Sequence, residues 1–155
     1  MFSKNKFGLI AGVLALSVAA GVAYAALSGD DAITARKACM KGHLAGMQIM
    51  VPMFKGEKPY DAAMVHEAIT KKFDEPCAKW AEFWPKDSMT STTQKTHALE
   101  AIWTDVKGFE KVGGDFYNAE QALLATKDEA GFKAAFPAVG KGCGGCHEKF
   151  RAPME

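Results

Sequence analysis

Apolar residues fall into two regimes along this chain. From Phe7 to Val22 they form an almost unbroken run of about 16; beyond residue 30 they return every third or fourth position, the period that gives a helix one apolar face. Almost nothing alternates with the period of two that a half-buried strand requires. The periodic part divides into four helices. Ser28-Gly29-Asp30-Asp31 supplies a cap and an acidic first turn for the first. Its seam is Ile33, Met40, Leu44, Met47, Val51 and Phe54, with the stem of Lys37 filling one gap, and Pro52 with Lys55-Gly56-Glu57-Lys58-Pro59 ends it. The second opens at Tyr60-Asp61 and carries Met64, Ile69, Phe73, Cys77, Trp80 and Phe83 or Trp84, with a kink expected at Pro76. A polar loop follows through Thr93.

The third helix is expected from about Gln94, burying Leu99, Ile102, Trp103, Val106, Phe109, Val112, Phe116, Leu123 and Leu124, with an interruption or bend at Gly113-Gly114. The fourth, from about Asp128, repeats a seam of Phe132, Phe136, Val139, Cys143, Cys146 and Phe150. Four amphipathic helices joined mostly by short connections predict an all-α, antiparallel, up-down-up-down four-helix bundle.

The early apolar run changes the picture of where the protein works. Lys4 and Lys6 precede it, and Ala23-Tyr24-Ala25 follows as a small-x-small box before Ala26. Residues 1–25 therefore read as an export signal that is cleaved, leaving a single domain at 26–155 with no membrane anchor. The rival is a retained anchor, for which the run is near the lower length limit. Charge excludes little but adds something: 19 basic residues face 18 acidic ones, and loss of Lys4 and Lys6 leaves 17 against 18, or −1. A near-neutral domain of about 130 residues has no electrostatic reason to seek nucleic acid.

The chemistry concentrates near the end of the fourth helix, in Gly142-Cys143-Gly144-Gly145-Cys146-His147. C-x-x-C-H is the attachment signal for one c-type haem. On a helix the cysteines stand at i and i+3 and the histidine at i+4, so two thiols and an imidazole share one face. A thioredoxin-like redox pair would need a βαβ pattern that is missing here. Haem attachment and export agree on a periplasmic location. Cys39 and Cys77 lie 20 and 18 residues from a turn near Pro59, so antiparallel first and second helices bring them to one level. They either form a disulfide or remain as two thiols. A zinc site on them lacks a second ligand pair.

With C-x-x-C-H at the C-terminal end of a four-helix chain, the sequence resembles the class II c-type cytochromes, the cytochrome c′ family. Ala35-Arg36-Lys37-Ala38-Cys39-Met40, Ala101-Ile102-Trp103 and Phe150-Arg151 carry the likeness further. The resemblance implies His147 as axial iron ligand, Arg151 beside that proximal face, Arg36 at a haem propionate and Met40 over the distal face. In that family a Met at this position either ligates the iron, giving a low-spin electron carrier, or only caps an open site. The expected function is a periplasmic monohaem electron carrier, not an enzyme, with Met40 as sixth ligand and unidentified redox proteins as partners. The alternative is a five-coordinate protein that binds nitric oxide or carbon monoxide at an apolar distal pocket. His43, one turn beyond Met40, is a weaker distal candidate, and without a distal acid-base pair a peroxidase has no support. Members of the family are often homodimers through their first two helices, although the flanks here offer no decisive apolar stripe.

Overall fold

Each long helix begins where a short polar side chain can take the place of a missing carbonyl. A computed structural model describes residues 27–154; the expected export segment, residues 1–25, lies outside the described residues. Helix α1 (Gly29–Phe54) is capped by Ser28, whose Oγ accepts from the Asp31 amide at 3.3 Å. Asp61 caps α2 (Ala62–Glu67), accepting from Met64 N at 3.0 Å. A π-helical stretch (Ala68–Asp74) and a closing turn α3 (Glu75–Cys77) continue the same rod. Helix α4 (Ala101–Thr104) turns at Asp105 into α5 (Val106–Leu124), and Asp128 caps α6 (Glu129–Phe150) through Gly131 N at 2.8 Å. These rods form an all-α, antiparallel four-helix bundle with no strand among the described residues.

The expected kink at Pro76 takes the form of the π stretch. Proline offers no N–H to the Lys72 carbonyl and its ring crowds that carbonyl, so the preceding turns widen until Glu75 N bonds Thr70 O, five residues back. The widened rod lies tight on α1. A Cβ at Gly42 would run into the Lys72 carbonyl and the Pro76 ring, and one at Gly46 would run into Phe73. Two glycines four residues apart therefore let α1 approach to backbone distance.

Three expectations are corrected. The third helix starts at Ala101 rather than near Gln94, because the preceding residues serve as ties. Gln94 Nε2 donates to Asp30 O at 2.8 Å, Leu99 N to Phe150 O at 3.0 Å and Ala152 N to His97 O at 2.8 Å. Gly113-Gly114 causes no break, as α5 runs through them; the interruption is at Asp105, whose side chain caps α5 through Gly108 N at 3.1 Å. The buried face of α1 is also turned from the expected seam. Ala32, Arg36, Cys39, Gly46, Met50 and Met53 are buried alongside Ile33, while Leu44 is 59% exposed. Small residues face the close-packed neighbour, and the large apolar residues Met40, Leu44 and Met47 lie around the edge of that face.

The interior is built as two separate clusters. One packs Met50, Met53, Ile69, Phe73, Leu123, Phe132, Phe136 and Val139 where α1 ends and α6 begins. The other gathers Ile102, Phe109 and Phe150 with Trp80, Trp84 and Trp103 around the opposite end, and Cys146 touches it. Cys143, His147, Met40 and His43 belong to neither cluster.

Candidate functional site

The last turns of α6 present two thiols and an imidazole against unusually bare backbone. Cys143 and Cys146 are free and partly buried, and burial pushes both thiols above the ordinary cysteine range. Burial, and then the charge of Arg151, holds His147 below the usual histidine range, so its ring is neutral at pH 7 and keeps a lone pair. A Cβ at Gly144 or Gly145 would meet nothing within 4 Å, so a flat group can lie against this side of the helix. Phe116 of α5 closes the side at Gly142, its Cα only 3.2 Å from where a Cβ would stand.

A cavity of about 510 Å³ opens beside His147, lined by Leu99, Gly144, Glu148, Arg151 and Pro153. A second, of about 390 Å³, lies along α5 and α6 at Val112, Ala119, Gly142 and Gly145. Arg151 borders the first cavity with its Nε buried and without a hydrogen-bond partner, as befits a donor awaiting an acceptor that is not protein. The ties from His97 and Leu99 to the segment around Phe150–Ala152 fix that wall. Two thiols, a neutral imidazole, an unpaired guanidinium nitrogen and bare backbone together fit a covalently held haem.

Helix α1 forms the opposite side. At 100° per residue, Arg36, Met40, His43 and Met47 fall within about 60° of arc. His43 packs at a tilt against Phe73 and Phe116, with ring centroids 4.7 and 5.1 Å apart, and burial and then the charge of His147 push its pKa down to about 4. Phe116, which touches both the His43 ring and the backbone at Gly142, brings this part of α1 beside the turn that carries Cys143. Met40 is half-buried and outside both packing clusters.

Arg36 has work that the sequence did not reveal. Its NH1 donates to Phe83 O at 3.0 Å and Ser88 Oγ at 2.8 Å, and its NH2 to Ser88 O at 2.8 Å. The guanidinium lies 5.0 Å from the Trp84 ring centroid and 5.7 Å from that of Trp103, and burial lowers its pKa to about 10. It clamps the 83–88 loop to α1, leaving Nε and one NH2 hydrogen for any propionate. Cys39 and Cys77 are joined, with Cα atoms 4.9 Å apart, and His43 Nε2 lies 3.3 Å from Cys77 Sγ. Sequence reading also missed Glu120, a buried acid of α5; burial, then the charge of Asp74, raises its pKa to about 8. Its place in the amphipathic pattern gave no signal, because the other glutamate of the same helix, Glu110, is exposed.

The family model described as Cytochrome C' matches residues 31–151, nearly the whole of the described chain. The chain belongs to the cytochrome c′ family. Its cofactor is accordingly haem c, covalently attached. Cytochrome c-556 of Rhodopseudomonas palustris is 32% identical over 92% of this chain and 94% of its own length. Cytochrome c' of the same organism is 33% identical over 96% and 97%. Among solved structures, the nitric oxide complex of a mutant cytochrome c prime from Alcaligenes xylosoxidans superposes with a TM-score of 0.70 at 27% identity, covering 82% of this chain and 98% of that one. The cytochrome c′ family thus supplies relatives under both names at nearly equal similarity.

Proposed function

We propose that this protein is a periplasmic monohaem electron carrier, its haem c joined by thioethers to Cys143 and Cys146, with His147 as one axial ligand and Met40 as the other. The observation that carries the reading is Met40 itself. It is a flexible thioether three residues before His43 on α1, half-buried yet recruited into neither core. A Met used only as packing would be expected among the core contacts, as Met47, Met50 and Met53 are.

When bound, the haem iron supplies one-electron exchange between its ferric and ferrous states, and Met/His ligation biases that exchange toward a higher potential. The polypeptide does the rest. His147 offers a neutral nitrogen because burial and Arg151 disfavour its protonated form. Arg151 Nε offers an unpaired donor at the rim of the cavity beside His147. The Arg36 clamp and the Cys39–Cys77 link both hold α1 in the turn that leads into Met40, so the donor does not have to be ordered at each turn of the redox cycle. Export through residues 1–25 belongs to the same proposal, since the mature protein would then start at Ala26.

A second reading, a five-coordinate binder of nitric oxide or carbon monoxide, is favoured by the Alcaligenes neighbour, whose structure holds nitric oxide, and by the apolar residues Met40 and Leu44 along α1. The Met40→Leu variant separates the two. It keeps volume and fold at a cost below about 1.5 kcal/mol. A carrier changes from low-spin to high-spin, loses potential and binds carbon monoxide faster; an unchanged spin state and potential reject Met40 as ligand and leave the gas binder.

A further inference from the structure

Besides the haem turn, the described residues hold one cluster of metal-ligating side chains: Cys39 and His43 on α1 and Cys77 at the end of α3. Their ligand atoms all lie within 4.8 Å of one another. Cys39 and His43 are i and i+4 on one helix face, and the Pro76 kink brings Cys77 across to them. The contact between His43 Nε2 and Cys77 Sγ, at 3.3 Å, is peculiar. A cystine sulfur has no proton to donate and is a poor acceptor, so the imidazole nitrogen is aimed at a sulfur that cannot satisfy it. His43 is held there by Phe73 and Phe116, whose rings leave its orientation little freedom.

We propose that Cys39, His43 and Cys77 form a redox-gated site for a thiophilic d10 cation such as zinc, closed while the disulfide stands and opened by its reduction. A dithiol reductant gives two electrons and two protons to the S–S bond, becoming a disulfide itself and leaving two thiols on the protein. A divalent ion then displaces both thiol protons and binds two thiolates and the imidazole. Two thiolates and one histidine leave a fourth position for solvent, the composition of an open zinc site. Cys39 is fully buried whereas Cys77 is partly exposed, so solvent reaches the ion from the Cys77 side. The sulfurs must move apart to take metal, a movement that falls to the partly exposed Cys77 rather than to the fully buried Cys39.

The test uses the haem-loaded protein and zinc alone. One sample is oxidised until no free thiol titrates in the unfolded chain; another is reduced with a dithiol that is then removed anaerobically. Both are incubated with zinc and desalted, and zinc is measured against haem iron. The expected result is one zinc per iron in the reduced protein, none above background in the oxidised one, and thiols shielded from a thiol reagent by the bound ion. His43→Gln keeps both cysteines and should weaken zinc binding by about 100-fold, at least as much as loss of an outer-shell partner. No uptake by the reduced protein, equal uptake by the oxidised one, or unchanged affinity in His43→Gln each overturns the proposal. The comparison of two redox states of the wild type does not depend on any variant folding.

Discussion

At the scale of single residues, the strongest polar commitments are made by Arg36 and Glu120. Arg36 spends three hydrogen bonds on one loop and lies over two indoles, which only a planar fork can do at once. Arg36→Lys should therefore lower stability by about 2 kcal/mol, read as a lower denaturant midpoint at unchanged slope; an unaltered midpoint would show the clamp to be idle. Glu120 works in the opposite direction. Its folded pKa, about 8, is raised above the unfolded value of 4.5, so the folded state holds a proton that the unfolded chain gives up. Its stabilising contribution is present below the unfolded pKa and is lost as pH rises toward 8. Glu120→Gln should gain melting temperature relative to the wild type steadily from pH 5 to pH 8 and no further above it. A gap that is constant with pH would place the carboxylate in water.

The helical elements were legible because their signals are local. Ser28, Asp61 and Asp128 each cap a helix at the place a sequence reader would choose, and Pro76 bends its rod. What escaped is set by neighbours. The face of α1 is decided by how close α2 and the π stretch can come, a matter of Gly42 and Gly46, whereas an apolar count gives weight to Leu44. The residues from Gln94 to Glu100 carry no breaker and read as helix, but their polar groups are claimed by Asp30 and by the strap at Phe150–Ala152. The cofactor turn was legible because covalent chemistry fixes its spacing, while the tasks of Arg36 and Glu120 depend on loops and helices remote in sequence. Gly42→Ala tests the close approach: the Lys72 carbonyl is backbone and cannot turn aside, so the variant should lose about 1–3 kcal/mol. A neutral outcome would mean that the rods separate freely. The Cys39–Cys77 link closes 38 residues, and replacing both cysteines with serine should cost about 4 kcal/mol by chain entropy.

At the scale of the whole molecule, the packing divides between two ends of the bundle. All three tryptophans of the chain, Trp80, Trp84 and Trp103, lie at one end, around Phe109 and Phe150, and Cys146 packs against the same group. The molecule thus has a built-in optical gauge at only one of its poles. A haem joined to Cys146 would sit beside every indole and drain its excited state, leaving the native protein almost dark. Brightness on unfolding would then report the parting of the tryptophan end from the haem, and would be silent about the Phe73 and Phe132 end, which far-ultraviolet dichroism still sees. Emission that rises before the helix signal falls would mean that the pole holding the cofactor lets go first.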